Sequence, residues 1–210
     1  MEDLIAIRKA TIKGDRDGII RLIENALKKG VDPQILIHQG FIPAMDEVGN
    51  KFSAGEFFLP EMLLAARAMK TGMDRLKPHL VGSRTQAAAK VVLGTVLGDR
   101  HDIGKNLVGI MLKGAGLEVF DLGVDIPPEK VVEAVIRHQP DFVCLSALLT
   151  TTMNSMEETL AALLESGLRD QVKVFVGGAP VSQPFADQIG ADGYGKDAAD
   201  AVRLAKSHLG

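Results

Sequence analysis

The chain has 210 residues, 24 Lys+Arg against 27 Asp+Glu for a net charge of −3, 46% apolar residues and a mean hydropathy of +0.13. So balanced a charge excludes a dominant electrostatic footprint for nucleic acid or anionic membrane, and the apolar content excludes disorder. One cysteine excludes an internal disulfide framework. The acidic start, Met1-Glu2-Asp3-Leu4, has no basic n-region ahead of an apolar stretch. No apolar run approaches the roughly 20 residues a membrane helix needs. The expectation is a cytoplasmic protein with neither nucleic acid nor membrane as partner.

Apolar positions recur at three and four through the first part of the chain, the mark of helices with one buried stripe. Leu4, Ile5 and Ile7 open a helix closed by Gly14, and Ile19, Ile20, Leu22, Ile23 and Leu27 form a second, ended by Gly30. Asp32-Pro33 reads as an N-cap with proline in the first turn. It predicts one helix carrying Leu36, Ile37, Phe41, Ile42, Met45 and Val48, with Gly55 at the turn beyond. Leu59-Pro60-Glu61 begins a fourth, with Met62, Leu63, Ala66, Met69, Met73 and Leu76 inward. Four helices on short connections predict a bundle over residues 1–80. A linker follows at 81–88, within a stretch rich in Gly, Ser, Thr and Gln.

From residue 89 the pattern becomes short apolar runs alternating with helices. The runs are Val91–Val96, Leu117–Leu122, Phe142–Leu145, Val172–Val176 and a weaker Ala191–Tyr194. The helices are expected near 103–114, 128–137, 153–166, 181–189 and 197–208. Continuous apolar strands separated by helices predict a parallel sheet covered on both faces. Five such units give an α/β flavodoxin-like, doubly wound domain over 89–210.

Ligands of open parallel sheets bind beyond the carboxyl ends of the strands. Three polar clusters fall there: Gly98–Asn106 after the first run, Ser146–Thr152 after the third, and Gly177-Gly178-Ala179-Pro180 after the fourth. Neither G-x-G-x-x-G nor a P-loop occurs in the first cluster. It offers a histidine two residues from a carboxylate. An imidazole that binds a metal commonly gives its other N–H to a carboxylate, so Asp99 and His101 are a candidate pair; a polar loop with a helix-capping aspartate is the alternative. Asp102 either caps the following helix or touches ligand, and Lys105 and Asn106 face either solvent or ligand. Cys144, inside an apolar run, reads as core.

Asp99-x-His101-x-x-Gly104, then Ser146-x-Leu148, then Gly177-Gly178, each after its own strand, resembles the corrinoid-binding domain of vitamin B12 proteins. Glu47-Val48-Gly49 through Phe57-Phe58-Leu59-Pro60 is similar to the helical cap that precedes it in methionine synthase. Bundle plus corrinoid domain resembles the methyl-carrying protein of multi-component methyltransferase systems. The resemblance implies a corrinoid cofactor, cobalamin or a variant with another lower base, with His101 as lower axial ligand of cobalt and Asp99 bonded to its other nitrogen. Thr152 takes the place of the family's serine in that network. It further implies cofactor contacts from Arg100, Asp102, Ile103, Gly104, Ser146, Leu148, Thr150, Gly177, Gly178 and Ala179, the glycines making room for the nucleotide tail. Phe58 and Met62 would lie over the upper face. The implied partners are a substrate:corrinoid methyltransferase (methylamine, methanol or methoxyaromatic donor), a corrinoid:acceptor methyltransferase (tetrahydrofolate or thiol) and a reductive activating protein. The small corrinoid subunit of an adenosylcobalamin-dependent mutase is the alternative. A corrinoid-dependent regulator is disfavoured, because Trp and a basic recognition helix are missing.

Overall fold

A computed structural model describes residues 2–80 and 87–209. The chain divides into two compact units, Met1–Gln86 with Gly114–Gly116 and Ala87–Lys113 with Leu117–Gly210. Residues 81–86 of the expected linker lie outside the described residues.

The first unit is helical: α1 (Glu2–Ile12), α2 (Arg16–Lys28), α3 (Pro33–Leu36), α4 (Ile42–Ser53) and α5 (Leu59–Leu76). Asp15 caps α2 by accepting from Gly18 N at 2.9 Å, and Asp32 caps α3 by accepting from Gln34 N at 2.8 Å. The single helix expected after Asp32 is instead three pieces in line, because a wide π turn, Ile37–Phe41, joins α3 to α4. Pro43 is the cause. It has no N–H to give the carbonyl four residues back, and the Ile42 N–H reaches to Ile37 O. The carbonyl this leaves free, on Gln39, accepts from Arg8 Nε of α1 at 2.8 Å. On α5 the buried stripe runs Met62, Ala65, Met69, Gly72, Leu76, at spacings of three and four. Gly72 is required there: a Cβ would stand 2.2 Å from Cζ of the fully buried Phe41.

The second unit holds five parallel strands in the order β2-β1-β3-β4-β5. They are β1 (Lys90–Thr95), β2 (Glu118–Asp121), β3 (Phe142–Ser146), β4 (Lys173–Gly177) and β5 (Gly193–Gly195). Helices α6 (Ile103–Gly114), α7 (Pro128–His138), α8 (Asn154–Glu165), α9 (Gln183–Gln188) and α10 (Ala198–Ser207) alternate with them. This is the expected flavodoxin-like sheet. The central strands read as unbroken apolar runs because successive residues bury on opposite faces, as Val91, Val92, Leu93 and Val174, Phe175, Val176 do. β2 is shorter than its apolar run, since Leu117 N bonds Leu112 O and so closes the end of α6. Likewise Ala191 N closes α9 on Ala186 O, which moves β5 two residues on. Strand order reverses between β1 and β3, so the loops leaving them diverge and open a crevice at their carboxyl ends.

Candidate functional site

The loop leaving β1 turns at Gly98, whose φ of +81° suits glycine, and brings Asp99 into that crevice. Asp99 is fully buried. Its Oδ1 accepts from the backbone N–H of His101 at 3.0 Å and lies 2.7 Å from His101 Nδ1. Its Oδ2 accepts from Leu148 N at 2.7 Å, Leu149 N at 3.3 Å and Thr152 Oγ1 at 2.9 Å. Burial alone would raise the carboxyl's pKa, but the donors of His101, Leu148 and Thr152 outweigh it and hold the group well below the usual carboxylate range. An ionised carboxylate only accepts, so the proton on the shared line sits on His101 Nδ1. In the neutral imidazole that leaves Nε2 as the ring's acceptor, on a side chain 52% exposed. The sequence therefore brings Asp99, His101 and Thr152 together from the ends of two strands.

The other predicted residues ring the same edge with different degrees of engagement. Ile103 is 72% exposed, and Leu97, Leu148 and Leu149 are also exposed, an apolar rim around the ends of β1 and β3. Thr150 and Ala179 are exposed, and Ser146, Gly177 and Gly178 are half-buried. Arg100 stands in solvent, its Nε 3.6 Å from Asp125 Oδ2. Asp102 stands just before α6 and holds Asn106: its carbonyl accepts from Asn106 N at 2.7 Å and its Oδ2 from Asn106 Nδ2 at 3.0 Å.

Two expectations need correction, and the paired glycines have a further reason beside the expected one. Met62 exposes nothing, because it belongs to the buried stripe of α5, whereas Phe58 is 65% exposed. Lys105 faces neither solvent nor ligand: it is 3% exposed, with Nζ 2.7 and 2.5 Å from the two oxygens of Asp121 and 2.7 Å from Asn106 Oδ1. The protein's own backbone already requires glycine at 177 and 178. A Cβ on Gly177 would lie 2.8 Å from Gly195 O, and one on Gly178, at φ +131°, would lie 1.8 Å from Ala147 O. Gly104 differs, since nothing stands within 4 Å of where its Cβ would be.

Asp125 went unread in the sequence although it follows the second apolar run, where the strand-end rule points. Its Oδ1 accepts from Gly98 N at 2.8 Å and its own N–H donates to Asp99 O at 2.8 Å. It does so at φ +58°, a conformation aspartate tolerates better than most residues.

Among the described residues no group of three or more His, Cys, Asp or Glu converges as a metal site. A metal on His101 Nε2 must therefore bring its other ligands with it, as cobalt in a corrin ring does. The apolar rim and the open space at Gly104 fit such a planar, greasy ligand. A flavodoxin-like sheet with an exposed imidazole and exposed apolar side chains at its strand ends suits a metal macrocycle. The comparisons agree: the family described as B12 binding domain matches residues 89–203, and a second family of the same description matches 6–77. The chain belongs to the B12-binding family, and its cofactor is a corrinoid. It is 45% identical to trimethylamine corrinoid protein 1 of Methanosarcina acetivorans, over 99% of this chain and 98% of that one. Among solved structures, a cobalamin-binding protein from Desulfitobacterium hafniense matches at TM-score 0.84 and 38% identity, covering 100% of both chains. The methanol:cobalamin methyltransferase complex from Methanosarcina barkeri matches at TM-score 0.89 and 35% identity, over 99% of this chain and 80% of that one. Relatives of this kind make the chain a methyl-carrying corrinoid protein.

Proposed function

We propose that the protein carries a methyl group from a substrate:corrinoid methyltransferase to a second methyltransferase that passes it to a tetrahydrofolate or thiol acceptor, with a methylamine as donor. The methylamine reading is supported by the relatives named for trimethylamine and dimethylamine. The family match over residues 6–77 favours a carrier over a mutase subunit, which the sequence left as the alternative. A reductive activating protein is the third partner of this reading.

One observation carries it: His101 offers Nε2 outward while Nδ1 is locked to a fully buried carboxylate. When bound, the corrinoid supplies the cobalt on which a methyl group is held and handed on. His101 would hold the cobalt through Nε2, and Asp99 would keep its Nδ1 protonated and its ring oriented. Thr152, with the Leu148 and Leu149 N–H groups, keeps Asp99 ionised and fixed. Ile103, Leu148 and Thr150 face the ring edge, and Gly104 leaves room for the nucleotide tail.

The test is the absorption spectrum after incubation with hydroxocobalamin and desalting, beside His101→Ala. Retained corrin bands with a His101-dependent shift are expected; identical spectra in the two proteins would remove His101 as ligand. Methylation by a trimethylamine-, dimethylamine- or methanol-specific partner enzyme then decides the donor.

A further inference from the structure

His101 is gripped on its ring side by Asp99, and a second, separate set of bonds grips its backbone. Thr95, fully buried, donates from Oγ1 to His101 O at 3.0 Å. Thr95 N donates to Gly123 O at 3.0 Å, and Gly123 N donates to Asp121 Oδ1 at 2.9 Å. Both Asp121 oxygens accept from Lys105 Nζ, which also donates to Asn106 Oδ1. Asn106 Nδ2 donates to Asp102 Oδ2, and Asp102 is the residue bonded to His101 in the chain. The bonds close a ring that starts and ends at His101 and runs through β1, the end of β2 and the first turn of α6. None of its side chains belongs to the Asp99–Thr152 cluster.

We propose that Thr95 and Lys105 are positioning residues for His101, and that this ring sets how far the imidazole stands above the strand ends and so how firmly it holds cobalt. The inference rests on His101 being the axial ligand. A lysine buried to this degree is costly unless paired and hydrogen-bonded, and Lys105 is paired with Asp121, which ties the end of β2 to the first turn of α6. Its position beside the loop gives that cost a purpose. The carbonyl of His101 has in Thr95 a buried donor on the rigid sheet, so the loop's height is referred to β1 and not to solvent.

The test uses full-length protein reconstituted with hydroxocobalamin and reduced to cobalt(II). The protein carries nitrogen-15-labelled histidine, so that in its electron paramagnetic resonance spectrum a doublet nitrogen splitting counts histidine-ligated centres and a triplet counts those held by the cofactor's own base. Thr95→Val is isosteric and removes the donor; Thr95→Ser restores it; Lys105→Met removes the charge and keeps the length. The ratio of ligated to unligated centres is expected to fall about tenfold in Thr95→Val and Lys105→Met, the order of one bond in a buried network. Thr95→Ser is expected to return to the wild-type ratio, which a general loss of packing would not predict. Wild-type splitting in Thr95→Val, with corrinoid bound, overturns the inference. If Lys105→Met does not fold, the threonine pair decides alone. A wild-type spectrum indistinguishable from that of His101→Ala would instead remove the ligand assignment, and the positioning role with it.

Discussion

The two oxygens of Asp99 serve different strands: Oδ1 lies 2.7 Å from His101 Nδ1 in the loop after β1, and Oδ2 lies 2.7 Å from the N–H of Leu148 after β3. One buried carboxylate thus ties together the loops on either side of the point where strand order reverses. Replacing it disturbs both.

In Asp99→Asn the NH₂, whichever way the amide turns, faces backbone N–H groups that lose their acceptor, that of His101 on one side or those of Leu148 and Leu149 on the other. The expected cost is about 1–3 kcal/mol, read as a lower urea midpoint of the corrinoid-free protein. The histidine-dependent spectral shift should weaken in the same variant.

Acid should destabilise the second unit through two carboxylates. Asp99 is depressed as described, and Asp192, half screened by burial, is also lowered because Val174 N, Lys173 and Arg169 outweigh its desolvation. For both, the unfolded chain binds more protons than the folded one, so stability rises with pH. The contribution is present above the unfolded value near about 4 and is lost as pH falls through the lower folded values. Urea midpoints from pH 6 down to pH 3 should fall, and less steeply in Asp192→Asn.

Two glycines should respond in opposite ways. Gly178→Ala combines a positive φ with a Cβ 1.8 Å from Ala147 O, and should cost more than about 2 kcal/mol or prevent folding. Gly104→Ala meets nothing and lies in the first turn of α6, so the corrinoid-free protein should hold its stability or gain up to about 1 kcal/mol. Corrinoid retention after desalting should nonetheless drop in Gly104→Ala, if that space takes the tail. Unchanged retention would show the space to be idle.

Cys144 is buried and its thiol is pushed up to about 12 by desolvation. Native protein at neutral pH should react with a thiol reagent orders of magnitude more slowly than denatured protein. Rapid native labelling would show that β3 opens locally.

The sheet was legible because its strands are buried on both faces, which leaves uninterrupted apolar runs. The Asp99–His101 pair was legible because both side chains sit two residues apart in one loop. Much of what holds them was not. Leu148 and Leu149 contribute N–H groups, which leave no trace in side-chain type. Lys105 looked like a solvent residue because its partner, Asp121, is 16 positions away on another element. The π turn was hidden for a related reason: a proline inside a helical pattern announces a break, and here the break was absorbed without one. Met62 shows the converse, a residue whose heptad spacing already assigned it to the bundle interior.

That absorbed proline gives the helical unit a form of address. An uninterrupted helix has no free carbonyls along its middle and can slide against a neighbour in steps of a turn. The wide turn offers an acceptor at a set height, Gln39 O, and Arg8 of α1 is the donor that meets it. A local defect in α3–α4 is thereby turned into a stop that fixes where α1 sits along them. Greasy packing alone specifies that axial position weakly.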